Sequence, residues 1–546
     1  MLICIDLLEL LKQVKDTRRR ISEHSRAFFA HNVLHSDGTD RTHMFSIPLE
    51  ILFNYLGQLQ QLERDGSPFQ HYGDVFSAET MDSASDMGPE TPRFSLFEIT
   101  ALIVKEQLHI SFTYNRNMRH QARIQAWMAE CKRVLEVELP KFRNVAPQPT
   151  LTDYPLLPIT YHGLEELTAS VLPRLGLQSW RQVEDIYPCS PIQEGILFSQ
   201  LRDPHEYIFN AIFELRQSGN EGSVDLARLK KAWSTVVARH PVLRTVFIDS
   251  CCEEGSFDQI VLKEASDATV VIECDDLDAL NKLEAVSLRS NKSLNLYHQL
   301  VLCKTSTGRV LMKLEMNHVI IDGGSTSILL RELALAYSNQ HPPGPGPLFS
   351  EYIKYLREES TAEALEYWKR RLSDMPPCHL PVNASENGAR QLGTHLVAFN
   401  RFAALQSFCE ANSITFANLI LAAWAIVLRS HTKSDDVCFG YPSTGRDLPV
   451  PRIQDAVGIF INTLCCRVRF DTNQTLKDTV KYVQEDHIAS LAYQRSSLAE
   501  IQHALGRKGE PLFNTCISIQ NRSEDKAEIA GISYEFQKAH DPCEVG

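Results

Sequence analysis

The stretch Val310-Leu311-Met312-Lys313-Leu314-Glu315-Met316-Asn317-His318-Val319-Ile320-Ile321-Asp322-Gly323-Gly324-Ser325 decides the fold and the site together. Its first half alternates. A strand over Val310 to His318 turns Met312, Leu314, Met316 and His318 to one face and Lys313, Glu315 and Asn317 to the other, because successive strand side chains point to opposite faces. The apolar run Val319-Ile320-Ile321 anchors the chain after the strand, Asp322-Gly323 is expected to turn it sharply, and Ile328-Leu329-Leu330-Arg331-Glu332-Leu333 reads as a helix. A histidine is thereby aimed inward at the end of a buried strand.

Working outward, Ser190-Pro191-Ile192-Gln193 is a helix start, with Ser as N-cap, Pro at the first helical position and Gln completing a capping box, so a helix through about Leu201 is predicted. A strand signal follows over Tyr207 to Leu215. The apolar stretch Ala417 to Leu428 is too short to span a bilayer and contains Asn418, so it reads as a core helix. Strands and helices in this order predict an α/β or α+β unit. Breaks are expected at residues 64–92, a loop rich in Gly, Ser, Asp and Pro, from Asn144 to about Glu184, and at Gln340 to Pro347, whose prolines suit a stiff crossing between two lobes.

With 546 residues the chain has room for roughly three or four domains. Hydrophobic residues at 43% and charged residues at 23% mark it as globular. A formal charge of -13 offers no general attraction to nucleic acid or anionic membranes, and neither partner is expected. The N-terminus lacks the basic region and cleavage site of a secretory signal. The 14 cysteines never form a C-x-x-C and read as reduced thiols of a cytoplasmic protein. No H-E-x-x-H and no Walker-type glycine loop occurs, so no metal and no bound cofactor is expected.

The chemistry centres on His318. Its ring can take a proton from an attacking amine, or hold that amine in line, work that typically contributes about 10²- to 10⁴-fold. Asp322, four residues on, can fix the loop around it. From H-x-x-x-D-G alone, a structural histidine satisfied by a backbone carbonyl beside a plain turn is an equal reading.

Further motifs bear on that choice. Tyr187-Pro188-Cys189-Ser190-Pro191-Ile192-Gln193-Glu194-Gly195, Arg239-His240-Pro241-Val242-Leu243-Arg244-Thr245-Val246-Phe247, Tyr367-Trp368, Gly458-Ile459-Phe460-Ile461-Asn462-Thr463 and Pro511-Leu512-Phe513-Asn514 follow in order around the His318 signature. Together they resemble the condensation domains of fungal nonribosomal peptide synthetases. That resemblance implies two chloramphenicol-acetyltransferase-like lobes with a channel between them, catalysis by His318, and a mainly structural Asp322, with Gly323 keeping the loop tight. Asn317 stands where the family usually has a first histidine. Arg244, if it is not simply a surface arginine, is the expected partner of Asp322, since a buried carboxylate needs a charge or several hydrogen bonds. Ser325 and Asn462, with Asn317 and Arg244, fall to channel lining or structural support.

Residues 1–145 resemble the closing part of an epimerization domain, through Val14-Lys15-Asp16-Thr17-Arg18-Arg19-Arg20, Phe53-Asn54-Tyr55-Leu56-Gly57-Gln58 and Ser111-Phe112-Thr113-Tyr114-Asn115. They lack that domain's own catalytic signature, His35-Ser36-Asp37-Gly38 reading as a loop turn. The expected order is the epimerization tail at 1–145, a linker at 146–184, a first condensation lobe at 185–345 and a clipped second lobe at 346–546. The implied function is amide-bond formation between peptidyl and aminoacyl thioesters carried on the phosphopantetheine of partner carrier domains, probed by the alternative of a non-catalytic remnant or carrier-docking fragment. A coenzyme A-dependent transferase shares the H-x-x-x-D logic but leaves Phe53 to Gln58 unexplained.

Overall fold

The computed structural model describes residues 7–21, 49–58, 95–104, 107–115, 117–217, 223–264, 268–288, 297–358, 361–381, 395–507, 509–519 and 531–541. The expected loop at 64–92 and the His35 to Gly38 turn lie outside them. The chain divides into two units, residues 1–148 and 149–546.

In the first unit, strands β1 (Leu49–Gln58), β2 (Ser95–Val104) and β3 (Gln107–Tyr114) form one sheet in that order, β1 parallel to β2 and β2 antiparallel to β3. The helix Gln121–Arg133 packs on it through Trp127, whose ring meets Phe97 edge to face. The Phe53 to Gln58 motif is the second half of β1.

The second unit opens on residues 151–182, expected as part of a linker. They instead form short helical turns whose Tyr154, Leu157, Leu164, Leu167, Leu172 and Trp180 bury against Val246 and Ile260. Those last two belong to an antiparallel sheet of β4 (Val183–Pro188), β6 (Thr245–Asp249) and β7 (Phe257–Leu262) in the order β4-β7-β6. The apolar residues of the supposed linker have a partner face, which composition alone did not show.

A five-stranded sheet carries the site. It comprises β5 (Ile208–Gln217), β8 (Thr269–Cys274), β9 (His298–Thr305), β10 (Val310–Asn317) and β13 (Ile532–His540) in the order β13-β5-β10-β9-β8, antiparallel except for β8 beside β9. β10 lies at its centre, flanked by β5 and β9, and all eight of its residues are buried. On one face Met312, Leu314 and Met316 join the larger core with Trp233, Val236, Leu329 and Leu333, contributed by the helices Leu226–Arg239 and Gly323–Tyr337. On the other, Lys313 and Glu315 are not solvated. They pair at 2.8 Å under the 286–288 segment, whose Val286 carbonyl accepts from Lys313 and whose Leu288 amide donates to Glu315.

A second core gathers Trp368, Leu421, Leu428, Phe439, Leu464 and Val483 around the hairpin of β11 (Asp436–Ser443) and β12 (Asn462–Arg469). The stretch read as a core helix is the helix Phe416–Thr432, with Leu421, Ala422, Ala425 and Leu428 buried. Among the described residues no single helix is long and apolar enough to cross a membrane. The division at residue 345 is not followed by the packing: Phe349, Ile353, Val457, Phe460 and Ile532 all enter the larger core. Chain order alone does not assign these segments to a lobe. The expectation of reduced thiols throughout also fails at one place, because β8 and β9 bring Cys274 and Cys303 together on one face, where they form a disulfide.

Candidate active site around His318

β10 ends at Asn317, and the next residue is held by its backbone: the His318 amide donates to the Tyr207 carbonyl at 2.8 Å, the Asn317 amide to that of Tyr297 at 2.8 Å. The His318 side chain, 13% exposed, lies edge to face with Phe209. Its Nδ1 is 3.3 Å from the Ile321 carbonyl and its Nε2 is 3.1 Å from Asp541 Oδ1. Asn317 points elsewhere. Its Nδ2 donates to Gln200 Oε1 at 3.2 Å and its Oδ1 accepts the Val319 amide at 2.9 Å, so it shapes the loop from behind.

Asp322 is the N-cap of the helix Gly323–Tyr337. Its Oδ1 accepts from the Ser325 amide and hydroxyl, each at 2.8 Å, its Oδ2 from the Phe460 amide at 3.4 Å. Its charge partner is Arg446, with Nη2 at 2.7 Å, and not Arg244. Arg244 is buried beneath the other sheet, where it pairs with Glu184 at 2.6 Å and bonds the Leu262 carbonyl. Nothing in the local sequence distinguishes the two arginines, because the choice is made by where β11 ends.

Arg446 is itself pinned. Its Nη1 donates to the carbonyls of Ile453 and Ala456, and its guanidinium lies over the Phe460 ring at 4.8 Å. The residue before it, Gly445, has φ of +63°, and a Cβ there would meet the Phe460 carbonyl oxygen at 2.2 Å, so only glycine fits. Gly323, expected to keep the loop tight, has open space where a Cβ would go. The constrained glycine is Gly324, whose Cβ would fall 2.7 Å from Arg446 Nε.

Ser325 is fully buried, and its hydroxyl also accepts from the Gly458 amide at 3.1 Å, which ties the Gly458 to Thr463 motif to the loop. Asn462, from the same motif, donates to the carbonyls of Gln494 and Ser496, at 2.6 and 2.9 Å, bracing that turn and making no bond to His318. The opening motif reaches the loop through Gln193. Its Oε1 completes the capping box with the Ser190 amide, and its Nε2 donates to the Val319 carbonyl at 3.0 Å. In the second motif His240 and Arg239 both bond Glu332, and Arg239 reaches the Pro342 and Gly344 carbonyls, holding the proline-rich segment. Reasoning from sequence missed Arg446, Gln200 and Asp541 altogether, and saw Gln193 only as a cap.

The result is a largely buried imidazole at the end of the central strand, backed by a loop that Gln193, Arg446 and the Gly458 to Phe460 stretch bond from outside. Such a site can exchange a proton with a group brought to Nε2 and keep the ring in place while it does so.

Residues 183–542 match the condensation domain family model, and the chain belongs to that family in the form found in fungal nonribosomal peptide synthetases. It is 96% identical over 540 residues to nonribosomal peptide synthetase nlsA of Emericella nidulans, and 54% identical over 544 residues to nonribosomal peptide synthetase 1 of Aspergillus fumigatus. Each alignment takes in 99% of this chain and 9% of the relative, so the chain spans a small part of the curated relatives it matches. The fold is also that of the condensation domain from the Monacolin K polyketide synthase MokA, at a TM-score of 0.54 and 19% identity over 66% of this chain and 87% of that one.

Proposed function

We propose that this chain joins carrier-bound substrates by an amide bond in nonribosomal peptide biosynthesis. The acceptor's amine nitrogen attacks the carbonyl carbon of the donor thioester, a C–N bond forms, the C–S bond breaks, and the proton lost from nitrogen ends on the departing thiol. Because a thioester is already activated, most of the work is to hold two pantetheine-tethered groups in line, and such positioning can lower a barrier by several kcal/mol. His318 guides the amine proton. The observation that carries the reading is the placement of His318 at the end of the central strand, with its loop locked by Asp322, Ser325 and Arg446.

On this reading the protein binds no cofactor of its own. Its partners are peptidyl and aminoacyl carrier domains bearing phosphopantetheine, and residues 1–145 are the tail of an epimerization domain. That order implies a donor ending in a D-configured residue. The test supplies the 546-residue chain with loaded donor and acceptor carriers. Product on the acceptor carrier, dependent on both loads and faster for a D-terminated than an L-terminated donor, is expected. Absence of product from a folded chain would overturn the reading, and equal rates would remove the stereochemical part.

A further inference from the structure

β13, the outer strand of the five-stranded sheet, carries a bulge: Phe536 pairs with Phe213 and Lys538 with Ile212, leaving Gln537 as an extra residue. Since strand side chains alternate, one inserted residue exchanges the two faces of everything beyond it, and bulges beside active sites re-aim side chains in this way. Before the bulge, Tyr534 and Phe536 share the face of Leu215 and Phe213, and both rings touch Phe213. After it, Ala539 faces Ala211 and His540 faces Asn210. Asp541 therefore arrives level with Phe209 and on its face. Phe209 pairs with Met316 across β5 and β10, and its ring flanks His318. An unbulged β13 would present His540 there and turn Asp541 away.

The carboxylate so aimed stands 3.1 Å from His318 Nε2, with its side chain 44% exposed toward solvent. At Nδ1 the ring faces a second acceptor, the Ile321 carbonyl. A neutral imidazole has one N–H and satisfies only one of the two. With the proton on Nδ1, a lone pair on Nε2 and a carboxylate lie side by side, an arrangement complementary to a group with several N–H donors and a positive charge. An α-ammonium is such a group, and α-amines are largely protonated near neutral pH.

We propose that Asp541 receives the α-ammonium of the acceptor and holds it beside His318 Nε2, the Gln537 bulge serving to aim it. This rests on the condensation reading above. The ammonium's first proton passes to Nε2 and from there to water. The neutral amine then attacks the thioester carbon, and the second proton, lost as the amide forms, leaves with the sulfur.

Steady-state coupling by the 546-residue chain tests this against acceptor concentration. Asp541→Asn should raise the acceptor KM on the order of tenfold or more, the size of one hydrogen bond to a charged group, with kcat and the donor KM changed far less. Deletion of Gln537 should do the same. An unchanged acceptor KM, or faster coupling by Asp541→Asn, overturns the proposal, the latter marking Asp541 as a plug. A second readout needs no turnover: ¹⁵N-histidine spectra during titration with a non-hydrolysable glycyl pantetheine amide should show a His318 shift in the parent that Asp541→Asn abolishes. If the parent couples nothing yet shows that shift, the condensation reading falls while the ammonium site stands. If the shift is absent or independent of Asp541, the site itself is refuted.

Discussion

Arg446 bridges 124 residues of sequence to set its Nη2 2.7 Å from Asp322 Oδ1, and both side chains are almost wholly buried, at 10% and 6% exposure. The pair ties the segment between β11 and β12 to the loop that follows β10. Its work is structural, because neither group touches the His318 ring.

Removing one partner of a buried pair leaves an uncompensated charge and costs about 3 to 5 kcal/mol. Arg446→Ala and Asp322→Ala are each expected to lower stability by that order. The double variant should lose clearly less than the sum, since the two residues share one network. Urea unfolding of the three variants checks this. Additive losses would mean that the pair contributes nothing as a pair.

At the ring itself, His318→Ala should slow single-turnover coupling on the order of 10² or more, with little loss of stability. Asn317→Ala should do the reverse. It removes bonds to Gln200 and to the Val319 amide, a folding penalty of about 1 to 3 kcal/mol for the groups left unsatisfied, while leaving the ring's own contacts intact. Rates and melting curves measured on both separate the roles. Parent-like coupling by His318→Ala would end its catalytic assignment.

Much of this was legible in the residues. The alternation through β10 placed His318 and Asn317 on different faces, and Ser190 with Gln193 marked a helix start down to the capping box. The partner of Asp322 was not legible: Arg244 and Arg446 both have largely covered side chains, 6% and 10% exposed, and only the end of β11 and the positive φ of Gly445 bring the second to the loop. The same holds for residues 151–182, whose apolar positions make sense only against the β4-β7-β6 sheet, and for Asp541, whose direction is set by a bulge. Local periodicity reports faces. It does not report which distant segment covers them.

Gln193 joins the opening motif to the catalytic loop, and it is fully buried. Gln193→Leu keeps the volume but strands the Ser190 amide and the Val319 carbonyl, and leaves Gln259 Nε2 with the Pro188 carbonyl alone. A loss of about 1 to 3 kcal/mol is expected, accompanied by slower coupling because Val319 is the residue after His318. Gln193→Glu retains the cap acceptor but sets a carboxylate oxygen against the Val319 carbonyl at a fully buried position, so it should slow coupling and cost more stability than Gln193→Leu. Equal coupling by both variants and the parent would show that the Val319 contact does not position the ring.

A last prediction concerns His298, buried at the start of β9, its Nε2 donating to the Leu243 carbonyl at 2.9 Å and its ring edge to face with Trp233. Burial pushes its pKa down from 6.5 to about 4, and the Leu243 carbonyl only partly offsets this. Between those values the unfolded chain binds a proton that the folded chain refuses, so protonation favours unfolding. The stability is fully present above about pH 6.5 and is lost as the pH falls toward 4, by about 3 kcal/mol in all. His298→Gln can still reach the carbonyl but does not titrate. It should be less stable than the parent at pH 7, through poorer packing on Trp233, and the gap should narrow steadily on acidification. Asp185, whose carboxyl burial raises to about 6, acts with the opposite sign over part of this range, but it is common to both proteins and cancels in their difference. Urea unfolding of the two proteins at several pH values from 7 to 4 gives that difference directly, and a gap that stays constant would show that His298 takes up its proton equally well in the folded and unfolded chain.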